Sequence, residues 1–130
     1  MLPGFEQHTA DLTDYELNVL VPAFLNGFKT KIGVENAITN KQIVERMKVG
    51  YQVNDVVVRK IISYIREEGL LPGLVASSKG YYLTNDPKEI ERYIESLHGR
   101  ETKIRMVKMK MESYLKQLLT VNQIKIDYHV

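Results

Sequence analysis

The stretch "VNDVVVRKIISYIREEGLLPGLVASSKGYYLT" (53–84) joins two unlike patterns end to end. In its first half Val58, Ile61, Ile62 and Ile65 recur at three- and four-residue spacing. That is the period of a helix with one buried face. Asn54 stands where an N-cap belongs, and Gly69 where a helix stops. The run Val56-Val57-Val58 favours a strand on its own, but the sustained period and both caps predict a helix over 54–68. After Gly69 the pattern changes. "GLVAS" (73–77) and "GYYLT" (80–84) are rich in strand formers, and a short polar turn with Lys79 and Gly80 separates them. This reads as a β-hairpin. Period two puts Tyr81 and Leu83 on one face of it and Tyr82 on the other.

Upstream, "ITNKQIVERM" (38–47) predicts a short helix. Thr39 is its cap, Gln42 closes a capping box, and Ile38 and Ile43 form a hydrophobic staple. "LTDYELNVLVPAFLNGF" (12–28) repeats the device with Thr13, Glu16, Leu12 and Leu17. Leu17, Leu20, Val21, Phe24, Leu25 and Phe28 make its apolar face, interrupted by Pro22, which bends or breaks a helix. Downstream, Asp86 is a cap, Pro87 fits the first helical position, and Glu89 falls three residues after the cap. A long helix is expected there. Ile90, Leu97, Ile104, Met111 and Leu118 recur every seven residues, supported by Tyr93, Val107 and Tyr114 three positions on and by Ile94 and Leu115 four on. Arg100 and Glu101, beside Gly99, interrupt this seam and predict a kink or boundary. The tail "QIKIDYHV" (123–130) alternates strictly, with Ile124, Ile126, Tyr128 and Val130 on one side, the period of a half-buried strand.

The 130 residues suffice for one domain with an appended element. The expected organisation is an N-terminal arm over 1–11, a domain over 12–98, and a helical extension over 99–130 with a possible terminal strand. There is no cysteine, which excludes disulfides and thiolate metal sites. No apolar run reaches the ~20 residues of a membrane span, and no basic-then-apolar leader opens the chain. A cytoplasmic protein, nucleoid-associated in a bacterium or host cell, is expected. The formal net charge is only +2, but the distribution is uneven. Met1 to Glu16 holds four acids and no Lys or Arg, whereas Lys29 to Arg66 holds eight bases against three acids. A second basic stretch runs from Arg100 to Lys116. Such clustering creates a local field that the net charge hides.

The order helix, short helix, longer helix, hairpin, helix resembles that of winged helix-turn-helix DNA-binding proteins. The likeness covers about Leu12 to Leu97, with "TNKQIVERMKVGYQVNDVVVRKIISYIREEGLL" (39–71) as the helix-turn-helix and "GLVASSKGYYLT" (73–84) as the wing. "KGYYLT" is close to the G-Y-x-L-T at the return strand of many wings, and the size and pattern are similar to small winged-helix proteins of phages and prophages. The resemblance implies a mainly α fold with a small β-hairpin wing, an α+β class, followed by a long C-terminal helix. It implies a partner, double-stranded DNA, and a role in transcription regulation, replication or recombination.

With Val58, Ile61, Ile62 and Ile65 inward, the opposite face of the 54–68 helix is Val56, Lys60, Ser63 and Glu67, with Arg59 beside it. Its N-terminal half is the part that meets bases. Val56 suits a thymine methyl, and Arg59 and Lys60 suit guanine or phosphate. Lys41, Asn54 and Ser63 complete the expected contacts, and Lys79 at the wing tip adds a phosphate or minor-groove contact. Glu67 and Glu68 repel phosphate, so the helix's C-terminal end is expected to face away from DNA. The plain structural alternatives are a solvated helix face for Arg59 and Lys60, a polar turn for Lys79, and small-core packing for Tyr64, Tyr81 and Tyr82.

Catalysis finds little support. His8, His98 and His129 are scattered, Ser77-Ser78-Lys79 has no general base placed beside it, and no phosphate-binding loop or metal motif occurs. No enzyme activity, cofactor or metal is expected. The other function class is a winged-helix protein-interaction module, since folds of this kind also serve assemblies; an exposed Val56-Val57 pair would suit it. The apolar repeat after Gly99 and the alternating tail predict a homodimer through the C-terminal region.

Overall fold

The helices form close to where the caps and periods put them. The structure is a computed structural model; it describes the backbone of residues 12–129 and the side chains of residues 12–122. The expected arm over 1–11 and Val130 lie outside the described residues. The chain divides into two units, one ending at Ile90 and one spanning Glu91–Val130.

In the first unit a π-helical turn, Glu16–Leu20, leads directly into helix α1, Val21–Phe28. The extra residue in that turn answers Pro22, which has no N–H to continue a regular ladder. It also turns the side chains. Leu20, Val21, Phe24 and Phe28 are buried as expected, but Leu17 is exposed and Glu16 is buried in its place. The capping box forms nevertheless: Thr13 N donates to Glu16 Oε1 at 2.8 Å, and Glu16 N donates to Thr13 Oγ1 at 3.1 Å. Two such bonds satisfy backbone donors that a helix start leaves orphaned.

A single 3₁₀ turn, Val34–Asn36, precedes helix α2, Asn40–Met47. Thr39 and Gln42 form the second capping box, with bonds of 3.1 and 2.9 Å. Helix α3, Asp55–Glu67, is capped by Asn54, whose Oδ1 accepts from Val57 N at 2.9 Å. Its Val58, Ile61, Ile62 and Ile65 are buried among Leu20, Phe24, Phe28, Ile43 and Leu74. Removing one of these side chains to Ala would cost about 2–5 kcal/mol, because a close-packed core relaxes only partly around the hole.

Strands β1, Leu74–Ser77, and β2, Gly80–Leu83, pair antiparallel with Val75 opposite Tyr82 and Ser77 opposite Gly80. Tyr82 is the buried tyrosine, while Tyr81 is half-buried. Residues 31–38 cover the outer edge of β2. Leu83 N donates to Lys31 O at 2.7 Å, and Tyr81 and Ile38 exchange bonds of 2.8 and 3.0 Å. An open strand edge invites pairing with another chain, and this segment closes one. The first unit is thus mainly helical with one small antiparallel hairpin, an α+β arrangement.

Thr84, Tyr82 and Glu89 fasten the hairpin to the first turn of helix α4, Pro87–His129. The Tyr82 hydroxyl donates to Glu89 Oε1, and Thr84 Oγ1 donates to Glu89 Oε2 at 2.9 Å. Glu89 therefore reaches the hairpin, while Asp86 caps the helix alone through Lys88 N at 3.0 Å.

Two expectations for the second unit are corrected. No boundary falls at Gly99: the helix runs through it, since one glycine costs only about 1 kcal/mol in a helix. The tail is also helical as far as His129, so the strand expected at Ile124, Ile126 and Tyr128 does not form. A strand needs a neighbour for its backbone groups, whereas a helix satisfies its own. Among the described residues no helix is long and apolar enough to cross a membrane.

Candidate nucleic-acid interface

Three separate segments meet at one edge of the first unit. The hairpin turn comes first. Gly80 has a φ of +119°, and a Cβ there would lie 2.5 Å from Ile38 O and 2.9 Å from Thr39 N. Only glycine permits this approach, so the turn carrying Lys79 sits against the start of α2. The turn is tied internally as well, with Ser77 Oγ donating to Gly80 O at 2.9 Å and accepting from Lys79 N at 3.2 Å. The start of α2 in turn meets the start of α3. Asn40 Nδ2 donates to Asp55 O and Asp55 Oδ1, both at 3.3 Å. That leaves Asn40 Oδ1 buried with no partner among the described residues.

The edge therefore runs from Lys79 through Thr39, Asn40 and Lys41 to Asp55, Val56 and Arg59. Lys41, Arg59 and Lys79 are exposed, as is Val56 at 68%. The N-termini of two helices add partial positive charge here, an arrangement that favours anions. Asp55 opposes it, with its carboxylate held by Asn40. Ser63 is half-buried one turn beyond Arg59. Asn54 is at the edge, but its side-chain oxygen is occupied by the cap bond.

Lys60 is not on this edge. Its ammonium donates to Glu16 Oε1 at 2.8 Å, with side-chain exposures of 20% for Lys60 and 9% for Glu16. The expected face of Val56, Lys60, Ser63 and Glu67 is thus rotated: Val56, Arg59 and Ser63 mark the open side, and Lys60 turns toward the π-helical turn. Burial pushes the Glu16 carboxyl up, but the Lys60 ammonium and the Thr13 amide outweigh it and hold the group below its ordinary value of 4.5. This pair links positions 44 residues apart. The one signal for it in the sequence is an acid at the third position of a capping box in the most acidic stretch of the chain.

Asn40 was not among the residues the sequence singled out, although it follows a helix cap, where short polar side chains gather. Glu45 and Lys48 pair with each other at 2.9 Å on the exposed side of α2. Among the described residues no cluster of His, Asp or Glu is arranged to hold a metal. Comparison with protein-family models, curated proteins and solved structures finds no match to this chain.

Proposed function

We propose that the first unit is a winged helix-turn-helix that binds duplex DNA. In this reading α2 and α3 are the helix-turn-helix, and the β1–β2 hairpin is the wing. The observation that carries it is the convergence of Lys79, Lys41 and Arg59 through the Gly80–Thr39 and Asn40–Asp55 contacts. Phosphate contacts from three segments fix a protein's register on a duplex, and the exposed start of α3 offers Val56 and Arg59 to base edges. Lys60 then serves the fold rather than the DNA.

A second copy of the chain completes the reading. In the second unit Leu97, Ile104, Val107, Met111, Tyr114, Leu118 and Val121 are all exposed large apolar residues at seven-residue spacing or its three-residue offset. A seam of this period is what a two-stranded coiled coil buries. Arg100 is its polar interruption.

Fluorescence anisotropy with random and genomic duplexes at two salt concentrations tests the DNA reading. Affinity should fall steeply with salt, and Arg59→Ala and Lys79→Ala should each reduce the salt slope by about one if they contact phosphates. Absence of binding to any duplex at low salt removes the proposal. Salt-independent capture of a protein partner through the exposed Val56 would replace it with the interaction-module reading.

A further inference from the structure

An open cleft of about 300 Å³ lies between α1 and α2. Its floor is Phe24, Phe28, Ile38 and Ile43, all buried; Met47 and Tyr51 form one wall. The opposite wall includes Gly27, the last residue but one of α1. Two cations, Lys31 and Arg46, also line the cleft, with Ala23 and Asn26, and no acidic side chain takes part. Among the described residues neither cation is paired with a carboxylate.

Gly27 supplies an independent observation. It stands one residue before the end of α1, where glycine costs a helix little. A Cβ built at Gly27 meets nothing within 4 Å, and its φ is not one that requires glycine. What its missing side chain does is keep the cleft wall open. A cleft with an apolar floor, cationic lining and an unfilled wall matches a small-molecule site, apolar in body with a few polar groups that fix orientation.

We propose that this cleft binds a small apolar carboxylic acid, its hydrocarbon or aromatic body on Phe24, Phe28 and Ile43 and its carboxylate between Lys31 and Arg46. The cationic lining selects an anion, because a guanidinium pairs a planar carboxylate through two parallel bonds. The volume is at the lower limit for small-molecule pockets, roughly 300–1,000 Å³, which sets the size at about ten to fourteen non-hydrogen atoms. A peptide or protein surface needs far more area than this cleft offers.

The test is calorimetry with the full chain and three probes, octanoate, 4-phenylbutyrate and indole-3-acetate, each beside its primary amide. At least one carboxylate should saturate below ~5 mM, with its amide bound at least about tenfold more weakly. Arg46→Gln should weaken binding of the acid more than binding of its amide and so reduce that preference. Gly27→Leu, a good helix former at an exposed site, should retain the helical circular dichroism and abolish binding of every probe. No saturable carboxylate in that range overturns the proposal. So does equal binding of acid and amide, or undiminished binding by a folded Gly27→Leu chain. The measurement contains no DNA, so its failure and that of the DNA reading are separate results.

Discussion

Replacing Lys60 should unsettle the fold and leave DNA affinity almost untouched. Lys60→Met keeps the aliphatic stem and deletes the ammonium. Glu16 Oε1 then loses its 2.8 Å charged donor and retains the Thr13 amide. A hydrogen bond between charged groups contributes about 1.5–3 kcal/mol, and breaking a fully buried ion pair costs about 3–5 kcal/mol. Lys60 is 20% exposed, so water reaches the orphaned carboxylate and the cost falls at the lower end, about 2 kcal/mol. For a domain of this size that lowers Tm by roughly 8–16 °C. The dependence on pH has a definite sign. Glu16 is held below its ordinary value of 4.5 in the folded chain, so its stabilisation is complete above that value and is lost as pH falls through the lower folded value. Thermal melts of the parent, Glu16→Gln, Lys60→Met and the double variant between pH 7 and pH 3 measure both effects. The double variant should be less destabilised than the two singles added together. A Lys60→Met chain that melts within ~2 °C of the parent at pH 7 yet loses DNA affinity would refute the reasoning, because the ammonium would then belong to the DNA.

Gly80→Ala should destabilise the first unit by more than about 2 kcal/mol in urea unfolding, since the new methyl meets backbone at Ile38 and Thr39; a loss under ~0.5 kcal/mol would show that the turn moves freely. Tyr82→Phe removes one bond to Glu89 and should cost about 1 kcal/mol, with amide exchange quickening at the start of α4; unchanged exchange there would deny that the hydroxyl anchors this turn. Ile104→Glu combined with Leu118→Glu should convert a dimer-mass species to a monomer in light scattering. A parent chain already monomeric at high concentration removes the coiled-coil reading.

What could be read from the sequence was local. Thr13 with Glu16, Thr39 with Gln42, and Asn54 with Val57 are bonds between residues three apart, and each forms. The core face of α3 and the hairpin follow from periods of three to four and of two, which sequence displays directly. The features that escaped are those made across the chain. No local pattern joins Glu16 to Lys60, Asn40 to Asp55, or residues 31–38 to β2. Asn40 accordingly joins the starts of α2 and α3, and the Lys60 ammonium turns to Glu16. The π-helical turn was signalled by Pro22 as a disturbance, but its form was not, and the turned-out Leu17 follows from it. The tail alternates with the period of a strand, yet its backbone is helical, because a helix satisfies its own polar groups and a strand needs a neighbour to do so.

Gly80 also separates what can vary from what cannot. On one side of it β2 is locked to Ile38 and Thr39; on the other, Ser78 and Lys79 are exposed and make the turn. Residues added between Ser77 and Gly80 would lengthen the loop at small entropic expense, because closure entropy grows only slowly with length. They would not displace the sheet or the start of α2. The hairpin tip is therefore a grafting point, where reach and charge can be altered in steps of one residue while the helices behind it keep their register.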